Sequence, residues 1–164
     1  MKNLINKIRD TFNNAMDSFI DCNFKYFTIE ELTQSETADR LGIDNTPDEK
    51  QKVNMRLLIL EILDPLREAY GKPIYVNSGF RCEELNIAVG GALNSHHKCN
   101  NGYAAADITA TNKRDNKRLF ELVQGLNLPF CQLIWECGNE EYPEWIHISY
   151  NTKDIRKEVK YLNK

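Results

Sequence analysis

With 164 residues, 41% of them hydrophobic and 10% aromatic, the chain is long enough for one folded domain that buries about two-thirds of its unfolded surface. A net charge of -3, with acidic and basic residues mixed along the chain, does not supply the concentrated basic surface that nucleic-acid binding needs. No apolar run approaches the length of a membrane span, and "MKNLINKIRDTFNNAMDSF" has no continuous apolar core of a signal peptide.

Leu4, Ile8, Phe12, Met16 and Phe19 recur at helical spacing, with Ile5 and Ile20 widening the stripe, so an amphipathic helix is expected from about residue 3 to 20. "FTIEEL" offers a helix start with Thr28 as cap, Glu31 reaching back, and Phe27 stapled onto Leu32. "TPDE" offers another, with Thr46 as cap, Pro47 at the first helical position and Glu49 three residues on. The helix it opens carries Val53, Leu57, Leu60 and Leu63, is kinked by Pro65, and ends at Gly71.

Beyond Gly71 the texture changes. "PIYVNS" reads as a strand, "CEELNIAV" as a short helix, "GGALNSHH" as a loop, and "AAADITA" as a second strand. "KRDNKRLFELVQGL" reads as a helix ending near Gly125, and "CQLIWE" and "EWIHISY" as two strands joined by a polar turn from Gly138 to Pro143. The charged "KDIRKEVKYLNK" is expected to be a frayed helix. The class is α+β: N-terminal helices, then a small, mainly antiparallel sheet. Residues 1–164 form one domain, with a helical leader over 1–45 and a core over 46–150.

Five cysteines, Cys22, Cys82, Cys99, Cys131 and Cys137, make an odd set without a CxxC pair. Neither a thioredoxin-like motif nor a zinc ribbon is indicated, and the odd count argues against a complete disulfide framework, which fits folding in a reducing compartment.

The three histidines fall in two segments. His96 and His97 lie in "NSHHKCNNGYAAADIT", and His147 lies in "WIHIS". Strand alternation puts Trp145, His147 and Ser149 on one face and Ile146 and Ile148 on the other. Asp107 follows a run of alanines that leaves room for a ligand to approach. Three ligands drawn from His, Asp, Glu or Cys, with one position open, are what catalytic zinc requires. The spacing by itself is equally that of a solvated loop histidine, a hydrogen-bonded core histidine and a turn-capping aspartate.

The stretch "SGFRCEELNIAVGGALNSHHKCNNGYAAADI", with "WIHIS" downstream, closely resembles the zinc D-Ala-D-Ala carboxypeptidase family. That family includes D-Ala-D-Ala dipeptidases and phage endolysins that cut bacterial peptidoglycan, and it shares its zinc-site fold with the Hedgehog signalling domain. The match covers about residues 73–150 through an S-G-F-R turn, a Ser-x-His, a run ending in Asp107, and a last histidine after Trp145 and Ile146. "FTIEELTQSETADRLGIDNTPDE" also looks like the leader of such proteins.

The resemblance implies a mononuclear zinc site in which His97, Asp107 and His147 are ligands, and in which Arg81 binds substrate and steadies charge on the scissile carbonyl. It implies a peptidoglycan peptide as substrate, no nucleic-acid or membrane partner, a monomer, and action at the bacterial cell wall after release from the cytoplasm. One departure stands out: "KCNNGYAAAD" holds about three residues more than the family interval, an insertion that a loop tolerates. It leaves open whether His96 replaces His97 and whether Cys99 approaches the metal. Two carboxylates compete as general base, Glu144 three residues before His147 and Glu136 on the neighbouring strand. The bond cut is a terminal D-Ala-D-Ala (carboxypeptidase) or an internal stem bond (endopeptidase). A cytosolic dipeptidase is a weaker variant. A non-catalytic zinc-containing wall-binding or structural module is the rival from another class, since one fold hosts many functions.

Overall fold

The computed structural model describes residues 24–162. The amphipathic stripe from Leu4 to Phe19 lies outside the described residues. The described chain begins with two short helices, α1 (Ile29–Thr33) and α2 (Glu36–Leu41). Thr28 and Glu31 form the expected reciprocal cap at α1, and Phe27 and Leu32 are buried in the same apolar cluster. The second helix was not anticipated; Ser35 caps it and Gly42 ends it.

A long helical segment follows as α3 (Glu49–Leu58), a wider turn (Ile59–Leu63) and α4 (Asp64–Tyr70). The cap is Asp48 with Gln51, not Thr46 with Glu49. Aspartate and glutamine repeat the same box two residues later, so Pro47 precedes the helix instead of opening it. The stripe facing the core also differs from expectation. Met55, Leu58, Ile59, Ile62, Leu63 and Leu66 are fully buried, whereas Val53, Leu57 and Leu60 are half-buried flanks. The segment is apolar around much of its circumference, and tertiary packing chose the stripe. Pro65 has no N–H to donate, and the chain meets it with the wider turn, where the Asp64 amide reaches back to the Ile59 carbonyl. Gly71, at φ 75°, ends α4.

Five strands form one sheet in the order β1-β2-β4-β3-β5: β1 (Ile74–Ser78), β2 (Tyr103–Ala110), β3 (Gln132–Glu136), β4 (Trp145–Asn151) and β5 (Glu158–Leu162). A short helix α5 (Glu83–Ala88) follows β1, and α6 (Asn116–Gly125) joins β2 to β3. All neighbours are antiparallel except β3 and β5. β5 replaces the frayed helix expected for the charged tail. The free edge of β3 offers unpaired backbone groups, and Tyr161 packs its ring 5.7 Å from Trp135 and 5.5 Å from Phe120.

Alternation divides the sheet. Ile108, Ile146, Ile148 and Leu133 point to the helices and share one core with Leu58, Ile62, Leu119 and Phe120. Asp107, His147 and Ile134 are register partners across β2, β4 and β3, so they share the opposite face. No helix among the described residues is long and apolar enough to cross a membrane. The four described cysteines, Cys82, Cys99, Cys131 and Cys137, are free thiols.

Candidate metal centre

Asp107 and His147 stand directly opposite each other on β2 and β4, so the sheet itself sets their separation. His97 arrives from outside the sheet, on a single turn of tight helix (His96–Lys98) capped by Ser95. The three side chains converge. His147 Nδ1 lies 2.9 Å from Asp107 Oδ1, and His97 Nε2 lies 3.2 Å from that oxygen and 3.1 Å from His147 Nδ1. All three residues are more than nine-tenths buried.

Hydrogen-bond chemistry fixes what these atoms offer. The other ring nitrogen of His97, Nδ1, donates to the Gly79 carbonyl at 2.7 Å, because a carbonyl can only accept. Burial pushes the His97 pKa down, which favours the neutral ring. Its Nε2 then carries a lone pair aimed at Asp107 Oδ1, which has only lone pairs to return. Burial acts to raise the Asp107 pKa, but the adjoining imidazoles of His97 and His147 outweigh it and hold the carboxyl well below the usual range. Neutral imidazole and ionised carboxylate are the states in which these groups bind a metal. Tetrahedral zinc with bonds of about 2.0–2.1 Å places adjacent donors ~3.3 Å apart. The observed separations lie close to that spacing, so the donor set fits zinc.

The support for this cluster comes from the S-G-F-R turn. Arg81 donates from Nη2 to Asp107 Oδ2 and from Nε to Ser78 Oγ, both at 2.9 Å, which leaves Oδ1 to face the histidines. Its backbone amide also donates to the His97 carbonyl at 2.9 Å. Gly79 is required by close approach: a Cβ there would meet the Leu32 carbonyl oxygen at 2.3 Å. Asn45 ties the same turn to the leader, donating to the Thr33 and Phe80 carbonyls and accepting from the Cys82 amide. The leader is therefore part of the scaffold that orients His97.

The loop after Ser95 leaves His97 in the cluster and turns His96 away. The His96 ring stacks on Tyr103 at 4.0 Å, and its Nδ1 pairs with Ser149 Oγ at 3.0 Å. Burial, then the neighbouring His147 and Arg156, pushes its pKa down to about 4. Cys99 faces the apolar core with its Sγ 3.6 Å from the His97 carbonyl, and burial pushes the thiol up to about 12. Among the described residues, the group of histidine, cysteine and acidic side chains placed to hold a metal is His97, Asp107 and His147.

Both carboxylates considered as base lie at the β3–β4 end of this face. Glu136 is the register partner of Trp145 and accepts from the indole Nε1 at 3.2 Å. Glu144 sits in the turn after Pro143, and its carboxylate pairs with Lys113. It lines a recess with Tyr75, Asn77, Thr109 and Trp145. Asn116, fully buried, holds that turn: it accepts from the Ala110 amide at 2.7 Å and donates to the Pro143 and Glu144 carbonyls at 3.0 and 2.9 Å. Sequence reasoning missed Asn116, Ser78 and Lys113. Only Ser78 carried a signal, as the serine that opens S-G-F-R.

A family model described as Peptidase M15 matches residues 25–149. No curated protein matches the chain.

Proposed function

Because the chain belongs to the peptidase M15 family, whose members are zinc metallopeptidases acting on peptidoglycan, we propose that it is an endolysin-type endopeptidase that cuts within the peptidoglycan stem, with His97, Asp107 and His147 holding one zinc ion. The observation that carries the zinc assignment is the convergence of a His97 lone pair, whose tautomer Gly79 sets, on the Asp107 carboxylate and His147. The endopeptidase reading rests on the shape of the face. The recess at Glu144 and a groove past Arg81 share Asn77, and together they offer room for more than a terminal residue.

When bound, zinc polarises the scissile carbonyl and makes water a nucleophile near neutral pH. The chain's own residues do the rest. Glu144 takes the proton of the attacking water on a carboxylate oxygen and delivers it to the leaving nitrogen, a contribution of ~10²–10⁴-fold. Lys113 and the buried Asn116 fix where that carboxylate stands. Glu136, tied to the Trp145 indole, orients the wall of the recess instead. Arg81 keeps Asp107 in place and turns an always-charged guanidinium toward the oxygen that gains charge. The substrate places this action at the cell wall, after release from the cytoplasm.

Mass spectrometry of purified peptidoglycan treated with zinc-loaded protein tests the reading. Stem fragments cut at an internal bond are expected, and Glu144→Gln should keep zinc while losing turnover. Release of free D-Ala alone would make the protein a carboxypeptidase. A second reading, a zinc-containing module without turnover, is favoured by the engagement of Glu136 and Glu144 with Trp145 and Lys113. Absence of cleavage with one zinc bound per chain would establish it.

A further inference from the structure

The groove past Arg81 has two chemically different walls. One is aliphatic: half-buried Val76 on β1 and Val89 just beyond α5, which is 44% exposed, backed by the buried Leu85 of α5. The other is polar and comes from the leader: Gln34, Ser35, Glu36 and Thr37 at the start of α2. Asn77, Ser78 and Arg81 lie between them and lead to Asp107. Arg81 is engaged through Nε and Nη2 by Ser78 and Asp107. Glu36 is exposed, and its carboxylate has no partner among the described residues.

We propose that this groove is a substrate subsite for a long aliphatic side chain ending in a primary amine, the side chain of a diamino acid in a stem peptide, with Glu36 as the residue that selects the amine. The methylene chain lies along Val76 and Val89, as such stems do on apolar surface. The ammonium reaches the Glu36 carboxylate, an attraction between exposed groups that salt screens. The inference rests on the peptidase reading for the direction of the substrate, and it assigns to the leader a part in specificity as well as in scaffolding.

Calorimetric titration of zinc-loaded Glu144→Gln protein tests it without any need for turnover. Two synthetic stem peptides are used, identical except that the diamino acid's side-chain amine is free in one and acetylated in the other. The free amine should bind about fivefold more tightly at low ionic strength, and the difference should shrink as salt rises. Glu36→Gln should bring the free-amine peptide down to the affinity of the acetylated one, and Glu36→Lys should reverse the preference. Val89→Ser should weaken both peptides. Equal affinities for the two peptides, no measurable binding of either, or a preference that survives Glu36→Gln would each overturn the subsite. Cleavage of whole peptidoglycan by the unaltered protein, measured alongside, would leave the peptidase reading standing in any of those cases.

Discussion

The two faces of the sheet share strands and differ in everything else. On β4, Ile146 and Ile148 are fully buried under the helices, while His147, between them in sequence, faces Asp107 on the other side. The helix-facing side is held by apolar area and tolerates no polar group without a partner. The opposite side carries, beside Ile134, polar groups that hold one another: Arg81 on Asp107 and the Gly79 carbonyl on His97. A period of two residues thus lets one strand carry stability and chemistry in alternate positions, and the two should be separable by mutation.

The sharpest separation is expected at His147. His147→Ala should reduce peptidoglycan cleavage to background while circular dichroism keeps its helix-and-sheet signature; retained cleavage would break the division. One residue away, Ile148→Ala should cost about 2–5 kcal/mol in denaturant unfolding, the usual range for such a core cavity. Its zinc content per folded chain should equal that of the unaltered protein. Asn116→Ala crosses the division, since the side chain bonds to β2 and to the turn that carries Glu144. It should lose about 1–3 kcal/mol for buried groups left unsatisfied, and kcat should fall more than KM rises. The smallest effect is expected at His96. His96→Asn should cost no more than about 1.5 kcal/mol, the scale of one hydrogen bond, and should leave zinc binding intact. Loss of zinc there would transfer the ligand role from His97.

Much of the candidate site was legible because it is local or periodic. Alternation in "WIHIS" put His147 opposite Ile146 and Ile148 as observed, whereas the S-G-F-R turn, Ser95-x-His97 and Asp107 were singled out by their resemblance to a family pattern, not by spacing alone. What was not legible depends on long-range partners. The tail pairs as β5 only because β3 has an open edge and Trp135 waits beside it. The buried stripe of α3 and α4 was set by the sheet beneath it. The choice between His96 and His97 turned on Gly79 and Ser149, 18 and 53 residues away along the chain. Asn116 looked like an ordinary residue at a helix start, and only the fold shows that it holds the Glu144 turn.

The central claim is that His97, Asp107 and His147 hold one zinc ion, and metal content tests it most directly. Folded, monodisperse protein equilibrated with zinc and desalted should carry one zinc per chain by elemental mass spectrometry. Asp107→Ala prepared in the same way should carry essentially none. One zinc per chain retained by folded Asp107→Ala would contradict the account and place the metal elsewhere.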